Sequence, residues 1–260
     1  EHDENGMLVG NNVTSDPAIR QALNIGIDRK TIIENALGGF GKPTMNFAEA
    51  LSWANNDLQE SDNRVDEAVK ILEAAGWVDT DGDGIREKNG QKAEFVINGR
   101  SNDLQRYNTA VALAQDAKKL GINIIAKSTP WSEARKIARN IPTVWAIGDY
   151  TPQAIYNYFH SSQVGVNVIN NSAMYRNPTV TAHIDRALAA ATDEEMLREF
   201  RAAQWDGVTG PKVDIPYLWI ATVQVPYFVN NQLDLGQLRV GERGQGMGIL
   251  ITLDEWQWKK

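Results

Sequence analysis

The sequence predicts an α/β fold, a mixed and largely parallel central sheet flanked by helices. Three observations lead there. Apolar runs of strand length alternate with amphipathic runs of helix length between residues 93 and 148, the order expected of strand-helix-strand units. The helical runs stop at glycines, which can close a last turn in the left-handed conformation. The chain has 260 residues, 42% hydrophobic and 23% charged, enough to bury a sizeable core.

Taken in order, the apolar run 7–12 suggests a short strand. Ser15 or Asp16 then offers an N-cap with Pro17 in the first turn, and Ile19, Ala22, Leu23 and Ile27 recur at helical spacing. A second helix carries Ile32, Ile33 and Leu37 inward and ends at Gly38 and Gly39, and Gly41 and Pro43 open a loop. Residues 47–62 lack periodicity and read as irregular cover. Val65, Ala68, Val69 and Leu72 share one face of a helix that stops at Gly76, with Trp77 packing back on it. Residues 93–98 read as a strand, 104–120 as a long amphipathic helix, 122–127 as a strand, 131–139 as a helix and 143–148 as a further strand. Two helices follow Pro178, the second capped by Thr192 or Asp193. Residues 214–230, rich in Tyr, Trp, Val and Ile, suggest two strands, and a Gly-rich tail ends in Trp256 and Trp258.

Composition excludes several kinds of function. Twenty-six basic residues against 33 acidic ones give a net charge of −7, with no excess of cations to neutralise phosphates, so no nucleic-acid partner is expected. Without cysteine there is no disulfide, thiolate site or thiol nucleophile. No apolar run approaches the ~18 residues of a membrane span. The opening EHDENGMLVG has neither the basic start nor the apolar stretch of a signal peptide, which places any signal or lipid-anchored cysteine upstream of Glu1.

Each chemical motif meets a plainer explanation. Asp79, Asp81 and Asp83 followed by Gly84 match the opening of a calcium-binding loop, but the twelfth position, which needs a bidentate Glu, is Gly90. A tight solvated turn is the expectation, with a calcium-stabilised structural or interaction module as the alternative. Gly38, Gly39, Gly41 and Lys42 follow a helix instead of preceding one, so no phosphate loop forms, and Gly241, Gly244, Gly246 and Gly248 lack a dinucleotide context. His2, His160 and His183 are scattered without ligand spacing; His160 is expected as a hydrogen-bonded packing residue and His183 in solvent. No Ser stands in a nucleophile elbow, no cofactor is expected, and the chain is not read as an enzyme. The residues that attract attention are Asp149 and Tyr150 of GDYTP, directly after a predicted strand, because ligands of α/β sheets gather at the carboxyl ends of strands.

Three blocks in fixed order carry a family resemblance: DPAIRQALNIGIDRKTI from Asp16, AVKILEAAGWVDTDGDGIREKNGQ from Ala68 and YRNPTVTAHIDRAL from Tyr175. Together they resemble the family 5 extracellular solute-binding proteins of ABC importers, which capture peptides, nickel or metal chelates outside the membrane. The resemblance implies a periplasmic-binding-protein type II-like lobe. Residues 1–210 would be the second lobe of such a protein, and 211–260 a C-terminal return segment toward a first lobe that has no counterpart in this sequence. It also implies a peptide or small-molecule ligand, an ABC permease as partner of the full-length parent, a monomer, and a periplasmic or extracellular location, free or tethered as a lipoprotein. In peptide-binding relatives an Asp after the strand pairs with the peptide's ammonium group, and Asp149 matches that position. Tyr150 and Tyr156 would add aromatic walls or hydroxyls, and Arg243, in the loop 241–248, would border the cleft. A nickel-associated branch carries histidines where this chain has Tyr150 and GERGQGMG, so direct histidine ligation of nickel is not expected.

Overall fold

The computed structural model describes residues 2, 3, 8–48, 51, 53–55, 57, 60–147, 149, 151–237 and 248–259. Its first core is built by two capped helices, α1 (Pro17–Gly26) and α2 (Arg29–Leu37). Asp16 starts α1 by accepting the Ala18 N–H at 2.9 Å, and Asp28 starts α2 by accepting the Thr31 N–H at 3.0 Å. Gly38, at φ 60°, closes α2 in the left-handed region as the sequence predicts. The short strand β1 (Gly41–Pro43) follows. Helix α3 (Val65–Ala74) buries Ala68 and Leu72, and the fully buried Trp77 doubles back so that its N–H reaches the Leu72 carbonyl at 2.9 Å.

Strands β2 (Glu87–Lys88) and β3 (Gln91–Lys92) form a small hairpin that leads into β4 (Glu94–Arg100). Helix α4 (Leu104–Ala117), a 3-10 turn and Gly121 at φ 73° then carry the chain to β5 (Asn123–Thr129). β4 and β5 pair in parallel from Glu94 opposite Asn123 to Arg100 opposite Thr129, so both strands end together at one edge. Phe95, Ile97 and Ile124 belong to the core that α4 covers. Gly99 lies where a Cβ would overlap the Tyr107 Cα of α4, so only glycine lets this strand and helix meet so closely. Val13, Ile19, Ile27, Ile32, Leu72, Leu120 and Ile122 complete the first core, and each fully buried aliphatic side chain contributes ~1.5–3 kcal/mol of transfer free energy.

A second, aromatic core lies beyond the strand ends. Helices α5 (Trp131–Ile137), α6 (Ala154–Phe159), α7 (Pro178–Ala189) and α8 (Asp193–Gln204) follow in sequence. Ile155, Phe159, Val180, Ile184 and Phe200 from α6, α7 and α8 pack together with Phe47 and Trp53. The Phe47 ring centre lies 5.5–6.0 Å from the rings of Trp53, Tyr158, Phe159 and Trp219, in tilted and edge-on arrangements that suit aromatic quadrupoles.

After the single-turn α9 (Pro211–Asp214), residues 217–220 join the two cores. Tyr217 and Trp219 pack on the aromatic cluster, whereas Leu218 and Ile220 pack on the aliphatic one, the two-residue alternation of an extended chain. Arg29, fully buried, fastens this seam. Its Nε donates to the carbonyls of Thr44 (3.0 Å) and Trp219 (2.8 Å), and its Nη1 and Nη2 donate to the carbonyl and side-chain oxygens of Asn24 at 2.8 Å. Asp62 supplies the countercharge at 3.4 Å.

Helices and parallel strands are arranged as predicted, but the sheet is smaller. Among the described residues, the expected strand at 7–12 is an isolated bridge between His2 and Leu8, with Met7 outside them. Of the expected strand 143–148, Gly148 lies outside the described residues; in 143–147 Thr143 makes a parallel bridge to Asn98, with the Val144 N–H reaching the Asn98 carbonyl at 2.8 Å. Of the two strands expected in 214–230 only β6 (Ala221–Val223) forms, antiparallel to β1; Ile215 turns left-handed at φ 44° and Val225 to Val229 are exposed. These segments have β-forming residues but few ladder partners, and pairing decides where propensity only permits. β7 (Leu233–Asp234) and β8 (Gln257–Trp258) close the chain as a last antiparallel pair.

Candidate functional site

The parallel strands deliver their carboxyl ends to one edge, between the two cores. Arg100 ends β4, Thr129 ends β5 and is followed by Pro130 and Trp131, and Trp145 follows the bridge at Thr143. The edge is held by Asn98, almost fully buried, whose N–H donates to the Pro142 carbonyl at 2.8 Å and whose side-chain oxygen accepts the Thr129 hydroxyl at 2.9 Å. The rings of Trp131 and Trp145 lie 4.5 Å apart. The Arg100 guanidinium lies 5.4 Å from the Trp131 ring centre, and that of Arg106, from the first turn of α4, 5.7 Å from the Trp145 ring centre. These distances are cation–π range.

Asp103 serves two groups here. Its carboxylate caps α4 by accepting the Arg106 N–H at 3.2 Å and pairs with the Arg106 Nε, also at 3.2 Å. Burial lowers the Arg106 pKa, Asp103 opposes that, and Arg100 adds like-charge repulsion; the guanidinium stays cationic at neutral pH.

Of the predicted ligand residues, Asp149, which follows this edge in sequence, is half-buried. One oxygen accepts the Thr151 N–H at 3.0 Å and the Thr151 hydroxyl at 2.7 Å, a turn-closing role, and among the described residues no cationic side chain pairs with it. Tyr156 sits on α6, its ring stacked 4.8 Å from that of His160 and its hydroxyl 3.3 Å from the Ser162 hydroxyl, so its neighbours are local. Tyr150 and Arg243 lie outside the described residues. The strand-end rule that pointed to Asp149 applies equally to Arg100, Trp131 and Trp145, which sequence reasoning passed over; an Arg or Trp directly after a strand is the signal that finds them.

The Asp79, Asp81, Asp83 loop gains a fourth carboxylate, Glu87, which sequence spacing did not suggest, with one ligand atom from each within 4.8 Å of the others. Lys92 offsets part of this negative charge. Its ammonium bonds Asp83, lies 3.3 Å from Asp81 and 3.8 Å from Glu87, and its own pKa is raised chiefly by Asp83. Loop N–H groups of Gly82, Gly84 and Ile85 also bond these aspartates at 2.8–3.0 Å, and Gly90 turns the β2–β3 hairpin. The three aspartates are exposed and the loop is closed by its own N–H groups.

His160 is buried and hydrogen-bonded: Nδ1 lies 2.7 Å from the Ser162 hydroxyl and Nε2 3.1 Å from Asp185. The resemblance to a catalytic triad is superficial, because Nδ1 already accepts the Ser162 backbone N–H at 3.1 Å as the cap of a 3-10 turn. A lone pair spent on the backbone cannot take a serine proton. His183 departs from expectation: its side chain is only 16% exposed and joins α7 to α8 through Glu199, at 2.8 Å.

Comparison with known proteins follows this geometry. Residues 5–174 match the family model described as bacterial extracellular solute-binding proteins, family 5 Middle. The chain is 25% identical over 257 residues to the oligopeptide-binding protein AppA of Bacillus subtilis, covering 95% of this chain and 45% of AppA. It is 32% identical over 203 residues to protein XP55 of Streptomyces lividans, covering 76% of this chain and 37% of XP55. The crystal structure of NikZ from Campylobacter jejuni in complex with Ni(L-His) superposes with a TM-score of 0.75 at 21% identity, covering 95% of this chain and 50% of NikZ. Such neighbours establish the fold, that of a type II periplasmic-binding-protein lobe. The chain spans half or less of the length of these relatives.

Proposed function

This chain belongs to the bacterial extracellular solute-binding proteins of family 5, and from that membership we propose that it supplies one wall of the ligand cleft in the substrate-binding component of an ABC importer. Residues 1–210 then form the second lobe, and 211–260 return toward a first lobe. The exposed Val223, Val225 and Phe228 suit a segment that continues onto another surface. The ligands are peptides or small metal chelates, nickel complexes among them, as the names of AppA and NikZ suggest for those relatives. The full protein acts as a monomer without catalysis, outside the cytoplasm and against a membrane permease, and closure of two lobes around ligand signals capture. No helix among the described residues is long and apolar enough to cross a membrane.

What supports this reading is the setting of Asp149: a half-buried carboxylate that follows the Thr143 bridge in sequence, engaged by a turn but by no cationic side chain among the described residues. A ligand ammonium group completes that arrangement, with Tyr150, Tyr156 and Arg243 as the accompanying contacts. Calorimetry of the two-lobed protein with short peptides tests it. Asp149→Asn should weaken binding ~10- to 100-fold, the loss of one charge-assisted contact. Unchanged affinity removes Asp149 from the site.

A further inference from the structure

We propose that His183 is a proton-operated clasp: uncharged, it accepts a hydrogen bond from Arg186 of its own helix, and protonated, it donates to Glu199 on α8 and draws in Asp206 beyond it. The proton thereby ties the loop before α9 to α7. This device is independent of the ligand reading above.

One ring nitrogen faces two partners that it cannot serve together. His183 and Arg186 lie one turn apart on α7, and the Glu199 carboxylate meets both from α8. His183 Nδ1 is 2.8 Å from Glu199 Oε2 and 2.6 Å from Arg186 Nη2, while Arg186 Nε donates to the same Glu199 oxygen at 2.9 Å. Guanidinium nitrogens only donate and ionised carboxylates only accept. Nδ1 must therefore offer a lone pair to Arg186 or a proton to Glu199. In the uncharged ring the Nε2–H tautomer fits, because it leaves Nδ1 open to Arg186 and points the N–H toward Asp206 Oδ2, 3.8 Å away. The other tautomer would set a lone pair against that carboxylate. A second proton on Nδ1 reverses the choice: it repels the Arg186 N–H and bonds Glu199.

Charged groups meet the ring from each neighbouring element. α7 supplies Arg186, α8 supplies Glu199, with Arg198 3.7 Å from its other oxygen, and the loop after α8 supplies Asp206. On the α6 side Asp185 turns to His160, 3.1 Å away. The side chains of His183 and Glu199 are each 16% exposed and that of Arg186 is 53% exposed, so Arg186 is the partner with solvent to move into. Glu199 is held below its ordinary carboxylate range chiefly by the His183 hydrogen bond, with Arg186 adding, and Asp206 chiefly by the N–H groups of Thr209 and Val208. Both are therefore anions where histidine titrates, and the imidazole is the member that changes charge.

Asp206 carries the change onward. It accepts the Val208 and Thr209 N–H groups at 2.8 and 2.7 Å, and the Thr209 hydroxyl accepts the side-chain N–H of Asn177, the cap of α7. An imidazolium facing Asp206 holds this turn against the helix more firmly than a neutral ring does.

The test uses this chain labelled with 15N, followed between about pH 8 and pH 5 through the ring nitrogens of His183 and the Nε–H of Arg186. Nδ1 should be bare at the alkaline end and protonated at the acidic end, and the Arg186 Nε–H should lose its protection from solvent with the same midpoint. Amide protection of Val208 and Thr209, taken relative to His183→Gln at each pH so that intrinsic exchange cancels, should rise about threefold or more on acidification. Arg186→Gln should move the His183 midpoint up by about half a pH unit or more, and Glu199→Gln should move it down by a similar amount. These two variants keep the test decisive if His183→Gln folds poorly. A static ion pair would leave the Arg186 signal constant while His183 titrates, and that result overturns the proposal. So do an Nδ1 already protonated at the alkaline end, a midpoint unmoved in both variants, and loop protection that stays level relative to His183→Gln.

Discussion

Arg29 shows how one residue can organise a fold without announcing itself. In the sequence it is one cation in a helix start, and nothing local distinguishes it from the exposed Lys30 beside it. Its partners reveal its role: Asn24 five residues away, Asp62 thirty-three away and the Trp219 carbonyl 190 away. Replacing it with Met keeps the length of the side chain but removes the countercharge of Asp62, which keeps, among the described residues, only the residue-29 backbone N–H, and leaves the carbonyls of Thr44, Asn24 and Trp219 without this donor. Arg29→Met should therefore lose ~3–5 kcal/mol in urea unfolding, the penalty for breaking a buried, fully bonded charge. A loss under ~1 kcal/mol would mean these groups find other partners easily. The same limit explains why Arg106 escaped sequence reasoning. Its guanidinium meets a tryptophan 39 positions further along, and only the closing of the βαβ unit brings them together.

Helices were legible where their ends were written in side chains: Asp16, Asp28, Asn177 and Thr192 all cap as their residue types suggest. Strands were less so: among the described residues, the segment 143–147 pairs through the Thr143 bridge to Asn98 and the segment 214–230 through Ala221–Val223, although both have the composition of longer strands. The start of α1 yields a prediction about acid. Burial alone would raise the pKa of Asp16, but Lys88 at 2.6 Å, the Ala18 N–H and the Trp77 indole at 3.0 Å together hold it below its ordinary value of 3.8. A depressed carboxylate stabilises the fold above its unfolded pKa and loses that contribution as pH falls through the folded value. Asp16→Asn should therefore lower the urea midpoint at pH 7 by an amount matching ~1–2 kcal/mol, the worth of a cap. The gap between variant and parent should narrow steadily below about pH 4. A gap that stays constant down to acid unfolding would show that neutral hydrogen bonding, not charge, does the work.

At the scale of the whole molecule, two cores of different chemistry, one aliphatic and one aromatic, share a single seam. Tyr217 and Trp219 serve one side, Leu218 and Ile220 the other. Removing residues 217–260 should therefore disrupt both cores at once. Near-ultraviolet dichroism from the Phe47 cluster should vanish, and the α1–α4 region should lose its cooperative melt in the same construction. A truncated chain that keeps a sharp melt would show that the first core stands alone. The fold class was legible because periodicity is local; the union of the cores was not, because it depends on which side chains an extended segment turns to each side.

The seam also sets a timetable. The partner that completes the Arg29 cage at Trp219 is synthesised 190 residues after Arg29 itself. At ~5–20 residues per second, roughly 10–40 s pass between the two. Throughout that interval a cation destined for burial has an open side, and the two half-formed cores expose the apolar faces that Leu218 and Trp219 will cover. Until Trp219 has emerged, Arg29 therefore lacks one of the carbonyls that enclose it.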